Sequence, residues 1–352
     1  MKESRPRVSV IVPNYMHAPY LEERLQSIAN QSFGDFEVLL LDDASTDHSV
    51  EILKAWEAKD ARFRFTPNAA NSGSTFAQWN KGASMAKGDY LWIAESDDVA
   101  DSQLLEKLVG LLDAHPRAVI AYGQSMLIDE KSQPLHSFDV HYQYIFGGDR
   151  WSKPYVNSGL NEIEDYMILH NVVPNASGAL LRSKRFHAIG GADPNAKLNG
   201  DWMFYIRMLE DGDIVYTPET LNYFRLHAVT QRQRANANGK VYRELLAIVD
   251  YIRSAHHPEP WVLRKAYRNV AAWWTHSLYR QTWRGPGFRE NVAVNGGLFK
   301  RFLVLHPLVL LHIPYEGVVR LAVVVLETLG LKEPLRRVLH RFFPRHFMPR
   351  AT

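Results

Sequence analysis

The stretch Gly88–Leu105, GDYLWIAESDDVADSQLL, holds the decisive junction of the sequence. Tyr90 to Ala94 form an apolar run of the kind that makes a buried strand, and Leu104, Leu105 and Leu108 then recur at helical spacing. Between strand and helix stand Glu95, Asp97 and Asp98. Carboxylates packed this closely repel one another, and each is costly wherever water is partly excluded. A solvated turn capping the next helix would explain them. So would a divalent cation sitting among them.

Working outward, the same alternation continues on both sides. Val8–Val12, Phe36–Asp43 and Arg62–Thr66 read as strands, and Ala118–Gly123 follows the Leu104–Leu112 helix. Leu21, Leu25 and Ile28 mark the first helix; Ile52, Leu53 and Trp56 the second; Phe76, Trp79 and Ala83 the third. Near-continuous apolar strands alternating with amphipathic helices predict an α/β fold with a mostly parallel sheet flanked by helices. From His136 to about Leu160 the pattern reads as a loop-rich aromatic segment, followed by helical patches at Ile163–His170 and Ser183–Ile189. A further helix is expected from about Asp201, and residues 213–227 as strands with a turn.

The chain of 352 residues has room for a large α/β domain with an appendage. It contains no cysteine, so any metal must be held by oxygen or imidazole. A net charge of +3 is too small to point to a nucleic-acid partner. The N-terminal segment reads without a signal peptide, which places the expected chain in the cytoplasm.

In a parallel sheet, ligands bind at the carboxyl ends of the strands. Here the first strand ends in Pro13, Asn14 and Tyr15, the second in DDASTD (Asp42 to Asp47), and the fourth in ESDD. Neither a G-x-G-x-x-G turn after the first strand nor a phosphate-binding G-x-x-x-x-G-K-[ST] loop is present, which excludes those two nucleotide sites. An acid after the second strand can accept hydrogen bonds from a base or ribose. Acids after the fourth can hold Mg²⁺ or Mn²⁺ against a diphosphate.

VSVIVPNYMHAPYLEERLQSIANQSFGDFEVLLLDDASTD, followed by NSGSTFAQWNKGASMAKGDYLWIAESDD, resembles the inverting glycosyltransferases of family two, which have a GT-A fold. The resemblance runs from Val8 to Leu112 and more weakly to His227. It implies a nucleoside-diphosphate sugar donor, Mn²⁺ or Mg²⁺, and a glycan acceptor. By that resemblance Pro13, Asn14, Tyr15, Asp42, Asp43, Asn71, Gly73, Lys81 and Asp97 contact the nucleotide sugar. Asp97 and Asp98 hold the metal, with His227 approaching it, and Glu95 stands where the family has Asp. Asp201, in NGDWMFYIRML, takes the position of the catalytic base; Ser177, Gly178 and Trp202 fall on the acceptor side. The structural alternative for Asp201 is a helix cap. Two other functions compete: a sugar nucleotidyltransferase, which would carry a Gly-rich basic loop after the first strand, and a non-catalytic sugar-nucleotide or glycan-binding protein.

These features divide the expected chain into a catalytic domain, 1–235, and a helical C-terminal extension, 236–352. Within the extension, Phe299–Gly330 is apolar but interrupted by His306, Pro307, His312, Pro314, Glu316 and Arg320, so it reads as too broken to span a membrane. Leu331–Arg350 then carries six Lys or Arg against one Glu. That mixture predicts a segment (299–350) lying on an anionic membrane surface. The alternatives are helices packed on the catalytic domain or a homo-oligomer interface. Surface-polysaccharide assembly such as O-antigen or capsule, on a lipid-linked acceptor at the inner face of the cytoplasmic membrane, is the expected setting.

Overall fold

The computed structural model describes residues 5–227, 239–279 and 288–328. The chain forms two compact units, Met1–Ala228 and Val229–Thr352.

In the first unit β1 (Val8–Asn14) is buried at every position. It lies between β2 (Phe36–Asp42) and β4 (Tyr90–Ile93), parallel to both, with Val8 opposite Phe36 on one side and Tyr90 on the other. Strand β3 (Phe63–Pro67) extends this parallel half beyond β2. The connecting helices are α1 (Ala18–Ala29), α2 (Ser49–Lys59) and α3 (Thr75–Met85). α1 turns Leu21, Leu25 and Ile28 inward, as its 3–4 residue apolar spacing requires. Close approach fixes Gly88: a Cβ there would lie 2.5 Å from the Ser9 amide nitrogen.

The other half of the sheet is mixed. After β5 (Val99–Ala100) and α4 (Leu104–Ala114) come β6 (Ala118–Ile128), β7 (Pro134–Ser137), α5 (Asp139–Phe146) and β8 (Tyr155–Ser158). A helical turn, α6 (Gly159–Asn161), widens into a π-helical stretch at Glu162–Met167; β9 (Ala179–Arg182), α7 (Ser183–Ala188), α8 (Gly200–Leu209) and β10 (Asp213–Arg225) complete the unit. The order is β3-β2-β1-β4-β9-β6-β10-β5, with β7 on β6 and β8 on β10. β9 runs antiparallel between β4 and β6, whereas β6 and β10 are parallel. Residues 213–225 form one long strand whose register shifts against β6, in place of the expected strands and turn.

The segment from residue 136 to 160 is not the loop its sequence suggests. Its aromatic residues build a cluster in which Tyr142 stacks on Trp151 with ring centres 4.4 Å apart. The Arg150 guanidinium lies over the Tyr155 and Tyr166 rings, at 3.9 and 3.6 Å, and pairs with the fully buried Glu162. These contacts supply the burial that the non-alternating sequence does not advertise.

The second unit is helical among its described residues: Lys240–Ala255, Pro260–Leu278, Phe288–Leu305 and Val309–Thr328. Trp274 lies at its centre, stacked on Phe302 at 5.2 Å and donating from Nε1 to Asn295 Oδ1.

Candidate active site

The chain switches direction in the sheet at β1, with β2 and β3 on one side and β4 on the other, so a crevice opens at the carboxyl ends of these strands. Asn14 is buried at the end of β1, while Tyr15 beside it is exposed. Asn14 Nδ2 donates to Asp42 Oδ1 at 2.8 Å, and the other Asp42 oxygen accepts from the Ser45 amide. Asp43 is a hub. Its Oδ1 accepts from Asn68 Nδ2, Ser72 N and Gln78 Nε2, and its Oδ2 from the Ser72 hydroxyl. Both acids therefore shape the wall that carries the 68–78 loop. Asn71 Oδ1 accepts from the Gly73 amide in a turn where Gly73 has φ +67°, and Lys81 Nζ donates to Asn68 Oδ1.

At the end of β4 the three acids take three environments. Glu95 accepts from Trp79 Nε1 at 2.8 Å and is densely surrounded, though its surface is not fully closed. Burial, reinforced by the charge of Asp97, pushes its carboxyl up to about 8. Burial also opposes ionisation of Asp97. A 2.7 Å hydrogen bond with His227 Nε2 and the charge of His17 outweigh it, holding Asp97 below the usual carboxylate range. Asp98 accepts from the Arg225 amide and from Asn175 Nδ2; burial and the neighbouring Asp97 push it up to about 7.

His17, at the start of α1, completes the group. One ligand atom each of His17, Asp97 and His227 lies within 4.8 Å of the others. A carboxylate with two imidazoles is a donor set that suits a divalent transition metal. Asp98 lies outside this trio, its oxygens turned to Asn175 and the Arg225 amide. Arg225 braces the arrangement from below. Its guanidinium donates to the Asp97 carbonyl, the Asp129 carbonyl, the Ser132 hydroxyl and Glu23.

Beneath the acids lies Arg24, fully buried, with its guanidinium 4.9 Å from the centre of the Trp92 ring. Burial lowers it to about 10 against the attraction of Asp98, Asp97 and Glu95, and no nitrogen of the guanidinium has a hydrogen-bond partner among the described residues. Neither His17 nor Arg24 was expected from the sequence. Arg24 does carry a signal there, standing on the inward face of α1 beside Leu21, Leu25 and Ile28.

Asp201 lies in the first turn of α8, half-buried, and accepts from Asn171 Nδ2 at 3.1 Å. Trp202 is buried and donates to the Met167 carbonyl. Ser177 and Gly178 pack under the end of β4: the Ser177 carbonyl accepts from Trp92 Nε1 and its hydroxyl from the Glu95 amide. Both are buried.

The profile of the family described as glycosyl transferase family 2 matches residues 9–172. An uncharacterized glycosyltransferase of Haemophilus influenzae is 35% identical over 232 residues, covering 64% of this chain and 81% of the relative. The chain belongs to glycosyl transferase family 2. TuaG of Bacillus subtilis, a glycosyltransferase named for teichuronic acid biosynthesis, is 33% identical over 138 residues, 39% of this chain and 54% of that one. Some curated relatives are matched over only 13% or 33% of their own length, and others over as much as 81%. Among solved structures, the transferase shares its fold with the mannosyltransferase PcManGT of Pyrobaculum calidifontis, determined with GDP-Man and Mn²⁺. The TM-score is 0.54 at 15% identity, covering 90% of this chain and 87% of that one. The GT-A-like fold that the family resemblance implied holds.

Proposed function

We propose that this transferase moves a sugar from a nucleoside-diphosphate sugar to a hydroxyl of a glycan acceptor, with inversion at the anomeric carbon and with a divalent cation. The domain that does so is residues 1–235, and residues 236–352 are its extension. The observation that carries the reading is the convergence of His17, Asp97 and His227 at the mouth of the crevice. Mn²⁺ or Mg²⁺ held there would counter the charge of the diphosphate. In this reading Asn14, Asp42, Asp43 and the Asn71–Gly73 turn, with Pro13 and Tyr15, form the pocket for the nucleoside; Lys81 reaches toward the phosphates. Asp97 is the primary cation ligand, and Asp98 serves it by fixing the loop through Arg225 and Asn175.

An acceptor hydroxyl is a poor nucleophile at neutral pH and needs a carboxylate within hydrogen-bond reach. Asp201 takes that proton as general base, kept in orientation by Asn171. Trp202, Ser177 and Gly178 support the acceptor side from within the fold. The acceptor proposed is a lipid-linked glycan at the inner face of a cytoplasmic membrane, in surface-polysaccharide assembly; the relative named for teichuronic acid biosynthesis supports the assembly role alone.

Incubating the full chain with a panel of nucleotide sugars and Mn²⁺, and measuring release of the nucleoside diphosphate, tests this directly. One donor is expected to turn over, and Asp97→Ala is expected to abolish that turnover. Full activity of Asp97→Ala in EDTA would refute the cation assignment; no turnover of any donor would refute the transferase reading.

A further inference from the structure

The helix Val309–Thr328 has its polarity reversed. Its two described charged side chains face the protein. Glu316 is 2% exposed and accepts from His276 Nδ1 at 3.1 Å; Arg320 lies 3.5 Å from the other nitrogen of the same ring. One imidazole thus links an inward cation to an inward anion. The outward face is apolar: Leu311, Tyr315, Val318, Leu321 and Val325 repeat at three- and four-residue steps with Leu310 exposed beside them, and Val318 is 69% and Leu321 67% exposed. Upstream, Val304 and Leu308 extend the same character. A helix facing water carries polar residues on that side, and a contiguous apolar patch marks an interaction site.

We infer that this face lies in the surface of an anionic lipid bilayer. Charge selects the occupant. The stripe itself carries none. Lys300 is exposed ahead of it, and the sequence after it bears Lys332, Arg336, Arg337 and Arg341 within a run of six basic residues against one Glu. An anionic surface suits that composition, in which basic residues outnumber acids six to one. No helix among the described residues is long and apolar enough to cross a membrane. The helix therefore rests in the interface, where apolar burial and attraction to anionic lipid act together. Its use, bringing the enzyme to a lipid-linked acceptor, rests on the proposed function; the contact itself does not.

The full chain is expected to co-sediment with vesicles of phosphatidylcholine and phosphatidylglycerol without donor or acceptor. Leu311→Asp combined with Val318→Asp is expected to reduce that binding on the order of tenfold or more, with donor turnover unchanged. The sequence has no cysteine, so Val318→Cys can carry a single polarity-sensitive fluorophore. Its emission should shift to the blue on anionic vesicles and much less on phosphatidylcholine alone. If the double variant does not fold, the fluorophore decides. Vesicle binding equal to wild type in the double variant, an emission that lipid leaves unchanged, or a label already buried in a dimer before lipid is added would each overturn the inference. Because vesicle binding is read without turnover, its failure leaves the transferase reading intact, and failure of turnover leaves this one intact.

Discussion

Arg24 and Asp201 represent opposite kinds of charged residue. Asp201 is half-buried and accepts from Asn171, and in the proposed function it takes the acceptor's proton. Asp201→Asn keeps the size and most of the hydrogen bonding but cannot accept a proton. Turnover is expected to fall on the order of 10²-fold or more with donor affinity nearly kept, as steady-state kinetics beside donor titration would show. Unchanged turnover would leave Asp201 only as an acid in the first turn of α8, whose N-cap is Asn199. Arg24 is closed off under the acids of β4 and cannot reach a ligand by itself. The acids were legible in the sequence because they stand together at one strand end. His17 was not, because it joins Asp97 from 80 residues away along the chain, and His227, 130 residues away, was named only through the family resemblance.

At the scale of elements, three contacts hold the sheet halves in place. The carboxylate of Asp113, near the end of α4, accepts from Arg7 at 2.6 and 3.0 Å and from the Tyr90 hydroxyl, tying α4 to the start of β1 and to β4. The Arg7 hydrogen bond, working against burial, lowers the Asp113 carboxyl from its ordinary value. A carboxyl depressed in the folded state adds stability above its unfolded value, and that stability is lost as pH falls through the folded one. The difference in Tm between wild type and Asp113→Asn should therefore be present at neutral pH and shrink below about pH 4. In the aromatic cluster, Arg150→Ala would leave Glu162 buried and uncompensated, at a cost of about 3–5 kcal/mol in denaturant unfolding. Gly159 is the steric contact: a Cβ there would lie 1.9 Å from the Leu209 carbonyl oxygen and 2.2 Å from that of Gly212. Gly159→Ala should cost on the order of 2–3 kcal/mol, measured the same way. A cost near zero for either variant would contradict the contact that motivates it. This half of the sheet was the less legible one. Its short strands β7, β8 and β9 show no alternation; β8 and β9 owe their existence to partners far along the chain, and β7 folds back on β6.

Over the whole molecule, the parallel half and the crevice at its strand ends follow from sequence order: buried runs, each followed by an amphipathic helix, leave few other ways to cover both faces. The helical character of the extension was legible for the same reason. The reversed polarity of Val309–Thr328 was not, because Glu316 and Arg320 interrupt an apolar run without revealing that they turn inward to His276. The basic segment after residue 330, on which the membrane-surface expectation partly rests, lies outside the described residues. The proposed catalytic assembly does not depend on it, since every residue assigned to the crevice precedes 228. The most direct measurement of the central claim is a calorimetric titration of UDP and of GDP into the full chain, with Mn²⁺ and with EDTA, repeated on Asp97→Ala. One nucleotide is expected to bind in Mn²⁺, with binding weakened at least about tenfold both in EDTA and in the variant. Binding of neither nucleotide, or equal binding under all three conditions, would contradict it.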